Sequence, residues 1–171
     1  LKLDAETKEN LSIINISTER LGSLVEDLLD VSRIEQGRLK MAQVEAEVWP
    51  IVEETVKEMK VQSDAKGLSL VATIETGAKS LVKVDKDRFK QVLINIIGNS
   101  IKYTKKGGVE VLVKDKDKNL IVVIKDTGIG MAAKEREHLF EKFYRIRNKE
   151  TEDIVGTGLG LWITKQIVEL M

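Results

Sequence analysis

Leu11, Ile14, Thr18, Leu21, Val25 and Leu28 recur three and four residues apart in a polar stretch. That spacing is a heptad seam and predicts one long helix over residues 4–37. Ile13, Leu24, Leu29 and Val31 widen the apolar face beyond a two-stranded seam, so the helix is expected to sit in a bundle of more than two helices or in a dimer. Asp4 reads as its N-cap and Gly37 as its stop. Beyond it the pattern changes. Residues 39–46 read as a first strand. Trp49-Pro50 opens a helix to about Lys66, with Pro50 in the first turn and Gly67 after the end. Leu68–Ile74 alternates as a strand, and Leu81–Val84 forms a short second one. Asp85 caps a helix running to about Thr104, with Phe89, Val92, Leu93, Ile96, Ile97 and Ile101 on its apolar side. Gly107-Gly108 is a turn, after which Val109–Val113 and Leu120–Lys125 flank the polar turn Lys114–Asn119. A short helix is expected over Ala132–Phe140, a polar mobile loop over 146–157, and a helix from Leu159 onward. This order predicts an α+β fold: a two-layer α/β sandwich, helices on one face of a mixed sheet, preceded by one long helix.

Composition narrows the class. The 171 residues are 42% hydrophobic and 33% charged, with one proline, which describes a folding chain rather than a disordered one. The formal net charge is zero, from 28 basic and 28 acidic residues, so no bulk field draws the chain to nucleic acid or an anionic membrane. With no cysteine, disulfides and thiolate metal sites are excluded. No apolar run is long enough to span a bilayer. Leu1 starts inside a polar helical pattern and Met171 stops inside an apolar one, so a piece of a longer protein is expected.

Three segments carry candidate chemistry. In NIIGNSIKYT, Asn95 and Asn99 share a helix face, joined one turn on by Lys102. Amide oxygens beside a lysine suit magnesium and phosphate oxygens, since magnesium takes hard oxygen ligands and is commonly shared with substrate phosphates. Amides in so apolar a helix also need partners. Tyr103 either lies on an adenine face or packs in the core. In DTGIG, Asp126 ends an apolar strand, where a buried carboxylate needs hydrogen-bond donors, and an adenine amino group is one. Gly128 and Gly130 would let a ring approach the backbone, although a plain Asp-Thr-Gly turn explains the same residues. In GTGLGL, Gly156, Gly158 and Gly160 precede a helix whose bare N–H groups suit phosphate, or form a flexible hinge. The third glycine comes too early for a dinucleotide fingerprint, and no Gly-Lys-Ser/Thr follows as a Walker A loop requires.

Between the glycine segments lies LFEKFYR. Phe140, Phe143 and Tyr144 cluster in a chain that is only 4% aromatic, which suggests a hydrophobic plug. Arg145 could reach a γ-phosphate across a closed lid. Lys142, Arg147 and Lys149 read as solvated lid charges. His138, the only histidine, precedes the aromatic segment without the carboxylate motif characteristic of a phosphorylated histidine and reads as a residue with no part in the chemistry.

The order NIIGNSIKYT, DTGIGM, LFEKFYR, GTGLGL resembles the N, G1, F and G2 boxes of sensor histidine kinases of two-component systems. RLGSLVEDLLDVSRIEQGRLKM is similar to the second helix of their dimerisation and phosphotransfer domain. The resemblance covers nearly the whole chain. It implies a Bergerat-type ATP-binding domain over 39–171 and a bundle helix over 1–38. It further implies that Asn99 ligates magnesium with Asn95 beside it, Lys102 contacts phosphate, Tyr103 lines the pocket and Asp126 reads adenine. Gly128, Ile129, Gly130, Gly156, Thr157, Gly158, Leu159 and Gly160 would flank the nucleotide, and Arg145 would assist transfer. ATP and magnesium are the implied cofactors. The implied partners are a phosphoacceptor helix, a response regulator and a second copy through the long helix, in the cytoplasmic portion of a membrane-anchored parent. The acceptor histidine and the closing C-terminal strands of the family pattern are missing, so this chain alone is expected not to autophosphorylate, and its sheet to keep an unpaired edge. A non-catalytic ATP-binding interaction module is the alternative. A gyrase-type or serine-directed kinase relative would share the pocket but not the SRIEQGRL helix.

Overall fold

A computed structural model describes residues 4–78, 81–116, 119–146, 148–152 and 154–171. The chain divides into two compact units, Leu1–Leu39 and Lys40–Met171.

The first unit is helix α1, Ala5–Glu35. Asp4 caps it by accepting the Thr7 N–H at 2.7 Å. It stops in a Schellman turn: Arg38 N–H donates to the Arg33 carbonyl and Gly37 N–H to Ile34, with Gly37 at a φ of 61°. Its apolar stripe stays exposed; Leu21 is 61% accessible and Ile14 60%.

The second unit opens with strand β1, Val44–Glu47, and helix α2, Val48–Ala65. Strands β2, Ser69–Ile74, and β3, Leu81–Val84, precede helix α3, Lys86–Tyr103. Strands β4, Gly108–Lys116, and β5, Asn119–Asp126, form a longer hairpin than the sequence pattern predicts. Helices α4, Ala133–His138, and α5, Gly160–Leu170, follow. Strands β2 and β4 pair in parallel, β4 and β5 antiparallel, giving the order β2-β4-β5. Strands β1 and β3 pair antiparallel in a ladder of their own. The expected single mixed sheet is therefore two hydrogen-bonded sheets. Strands β1 and β3 are four residues each and lead directly into α2 and the cap of α3.

The two-layer α/β sandwich is borne out. Helix α3 packs between α2 and α5 and against the β4-β5 hairpin. Its Leu93, Ile97 and Ile101 meet Val52, Val56 and Met59 of α2 and Val109, Val111 and Val113 of β4 in one core. Alternate residues of β4 enter that core because successive side chains of a strand point to opposite faces. Asp85 fixes where α3 begins: its Oδ1 accepts Arg88 N–H at 3.1 Å and its Oδ2 accepts Ala42 N–H at 2.7 Å. Among the described residues β5 pairs only with β4.

Candidate functional site

Three pieces of chain meet at the second half of α3. The apolar side of this helix is buried in the core, so its polar side is set, and Asn95, Asn99 and Lys102 lie along it, half-buried. Asn95 does more than the sequence pattern expects. Its Nδ2 donates to Thr164 Oγ1 of α5 at 2.7 Å, and its Oδ1 accepts Asn99 Nδ2 at 3.3 Å. Gly160 makes this approach possible, since a Cβ there would stand 2.5 Å from Asn95 Oδ1. Asn99 Oδ1 accepts no hydrogen bond among the described residues.

The DTGIG segment is joined to the end of α3. Ile129 N–H donates to the Tyr103 carbonyl at 3.2 Å. Asp126 accepts the Ser100 hydroxyl on Oδ2 at 3.0 Å and the Gly128 N–H on Oδ1 at 2.9 Å. The expectation of a buried carboxylate is corrected: Asp126 is exposed at the end of β5, and two donors orient it in place of burial. A Cβ on Gly128 would meet the Tyr103 carbonyl at 2.8 Å, Asp126 Oδ1 at 2.9 Å and Thr104 Oγ1 at 3.1 Å, so only glycine fits this corner. The Thr104 side chain is fully buried and its hydroxyl has no partner among the described residues, which calls for a hydrogen-bonding guest or water. Tyr103 is half-buried, and Gly130, at a φ of 65°, has open space where a Cβ would be.

The GTGLGL glycines stand in three different surroundings. A Cβ on Gly156 would lie 3.0 Å from Lys102 Nζ, which places this loop beside the cation. Gly158, at a φ of 73°, packs on the Phe143 backbone, and its carbonyl accepts the Phe143 N–H at 2.9 Å. Gly160 admits Asn95. Thr157 Oγ1 accepts the Leu159 N–H at 3.2 Å, and the Leu159 side chain is fully buried, leaving only its backbone toward any ligand.

LFEKFYR is not a plug. Phe143 is 63% exposed at a φ of 62°, and Phe140 is exposed too, because the Phe143–Gly158 backbone bond dictates the turn and swings the ring out. Lys142 is no solvated charge: its Nζ lies 4.3 Å from the Trp162 ring centroid. Lys149 is exposed, and Arg147 lies outside the described residues. Arg145 is not drawn toward Lys102; its Nη2 donates to the Ile154 carbonyl. His138 pairs with Glu141 at 2.7 Å, in keeping with a surface role. Ser100, Thr104 and Thr164 complete the site and were not singled out by sequence. Ser100 and Thr104 lie inside NIIGNSIKYT, yet nothing in the string marks a hydroxyl as bonded or orphaned.

The donor set fits a magnesium nucleotide. No cluster of three or more His, Cys, Asp or Glu side chains suited to a metal occurs among the described residues. A cation here would rest on amide oxygen and on the ligand's own phosphates, as magnesium does.

Residues 84–171 match the family described as histidine kinase-, DNA gyrase B-, and HSP90-like ATPase. The chain belongs to that family. Residues 1–37 match the His Kinase A (phospho-acceptor) domain, and the two matches together mark the catalytic region of a sensor histidine kinase. The chain is 35% identical over 99% of its length to hybrid signal transduction histidine kinase C of Dictyostelium discoideum, spanning 14% of that protein. It is 37% identical over 96% of its length to the sensor protein SrrB of Staphylococcus aureus, spanning 28% of it. The crystal structure of full-length ShkA in complex with AMPPNP superposes on all of the chain with a TM-score of 0.84 at 26% identity, over 35% of that protein. This kinase region thus spans less than a third of the curated relatives compared. Residues 1–37, the phospho-acceptor match, contain no histidine. No helix among the described residues is long and apolar enough to cross a membrane.

Proposed function

We propose that this chain binds Mg-ATP and donates the γ-phosphoryl group to a histidine on a bundle helix outside this sequence, for relay to a response-regulator aspartate. The observation that carries the reading is the convergence of Asn99 Oδ1, Lys102 and the Ser100-held Asp126 carboxylate around one end of α3. Phosphoryl transfer asks a protein mainly for positioning and charge neutralisation. When bound, magnesium would bridge phosphate oxygens and offset their charge. Asn99 offers it a hard oxygen, and Asn95 orients Asn99 through its amide. Lys102 supplies a cation beside Gly156. Asp126, with both oxygens held from the protein side, is positioned to accept an exocyclic N–H of adenine, while Tyr103, Ile129 and Gly130 would line the base. Gly156, Thr157, Gly158, Leu159 and Gly160 form the turn through which the 146–157 segment would close over the phosphates, bringing Arg145 toward the γ-phosphate.

Homodimerisation through α1 is part of the same proposal, supported by the exposed stripe from Leu11 to Leu29. A cytoplasmic position beneath a membrane-anchored parent is likewise proposed. The phospho-acceptor match over 1–37 favours the kinase over a non-catalytic ATP-binding module. The test is transfer of radiolabel from Mg-ATP to a supplied histidine-bearing bundle domain. Asn99→Ala is expected to abolish transfer while the fold persists, and undiminished transfer would sink the assignment.

A further inference from the structure

Helix α3 ends directly at the site, so its last turn must be held. The last four carbonyls of any helix lack intrahelical partners. In α3 each has one. The Ser100 carbonyl accepts Thr104 N–H at 3.1 Å, and the Tyr103 carbonyl accepts Ile129 N–H at 3.2 Å. The two between them, of Ile101 and Lys102, both accept the ammonium of Lys66, at 2.8 and 2.9 Å. Lys66 belongs to another helix. It is the C-cap of α2, and a Schellman turn sets its backbone: Leu68 N–H donates to Ser63 and Gly67 N–H to Asp64, with Gly67 at a φ of 66°. A cation at a helix C-terminus also complements the negative end of the helix dipole.

We infer that Lys66 is a positioning residue for the nucleotide site: its ammonium clamps the last turn of α3 and thereby sets Lys102 and Tyr103 for phosphate and base. It touches neither the reacting atoms nor any residue assigned to them by side chain, and acts through two backbone carbonyls. The nucleotide half of this inference rests on the ATP reading above, while the clamp itself does not.

The test pairs amide hydrogen exchange with calorimetric titration of Mg-ATP, on the chain as it stands. Lys66→Met keeps the stem and removes the donor. Lys66→Arg keeps a cation able to bridge two carbonyls. In Lys66→Met, exchange of the Thr104 and Ile129 amides is expected to rise about tenfold, from loss of charge-assisted bonds to two carbonyls. Mg-ATP affinity is expected to fall about fivefold, with adenosine affinity falling less, because Lys102 serves the phosphates. Amides in β4 should keep their protection, which separates a local clamp from general destabilisation, and Lys66→Arg should restore both readouts to within about twofold. Unchanged exchange at Thr104 and Ile129, or a Lys66→Arg variant as impaired as Lys66→Met, overturns the inference. Should Lys66→Met fail to fold, Lys66→Gln, which keeps an NH2 donor group on a shorter stem but loses the charge, takes its place with intermediate values expected and wild-type values overturning. A parent chain that fails to bind Mg-ATP sinks the nucleotide reading alone, since the exchange comparison still reads the clamp.

Discussion

Helices α1 and α3 carry the same kind of apolar stripe and meet opposite fates. Ile97 of α3 is fully buried, and Leu93 and Ile101 nearly so, beneath α2 and β4. Leu11, Ile14, Leu21, Val25 and Leu28 of α1 are all exposed. Periodicity states that a face needs covering, because burying apolar area drives helix docking, but it does not name the cover. For α3 the cover is in the chain. For α1 the stripe fits the bundle proposed above.

The sharpest way to break this contrast is substitution at matched positions. Ile97→Ala is expected to cost about 2–5 kcal/mol of unfolding free energy, measured by urea denaturation. Leu21→Ala should leave that denaturation within about 0.5 kcal/mol for the monomer while weakening self-association in sedimentation. An equal loss from both would erase the distinction. A smaller effect is expected where α3 meets α5. Gly160→Ala puts a methyl group 2.5 Å from Asn95 Oδ1 and should cost about 1–3 kcal/mol, with faster amide exchange through α5. Thr164→Val removes one hydroxyl from the same junction and should cost about 1 kcal/mol.

Smallest of all is the effect at the first turn of α1. The Thr7 backbone N–H, and then its side chain, hold the Asp4 carboxyl below its usual value. A lowered folded-state value means that the stabilisation is present above the unfolded value and lost as pH falls through the folded one. Acidification below the usual carboxylate range should therefore fray the first turn of α1, a change Asp4→Ala abolishes. The Lys90 cluster runs the other way. Its ammonium, held by Glu58 at 2.7 Å and Glu54 at 2.9 Å, titrates above its usual value. Its contribution persists below the usual lysine range and fades as pH rises through the raised value, and exposure keeps it small and salt-sensitive.

Much of the candidate site is legible in the sequence. Asn95, Asn99 and Lys102 share a face because the helical repeat puts them there, and the boundaries of α3 follow from Asp85 and the apolar stripe. Asp126 accepts hydrogen bonds as the strand end requires, but without the expected burial: Ser100 and the Gly128 amide hold it at an exposed strand end. The spacing of the glycine run allows a phosphate-binding helix start or a flexible hinge, and in the structure only Gly156 stands beside Lys102, while Gly158 and Gly160 make room for the Phe143 backbone and Asn95. A glycine in a string reports that a side chain is unwelcome but not what excludes it.

The sequence by itself determined the elements, the two-layer class, the apolar stripe of α1 and the ordered segments that mark an ATP site, since all of these depend on periodicity, capping and spacing along one chain. The tertiary structure decided how the strands divide into two ladders, that Thr164 docks on Asn95, that the aromatic segment faces outward, and that Lys66 closes the end of α3. Those are contacts between residues distant in the chain, fixed by which backbone groups and side chains remain unsatisfied once the helices and strands have packed.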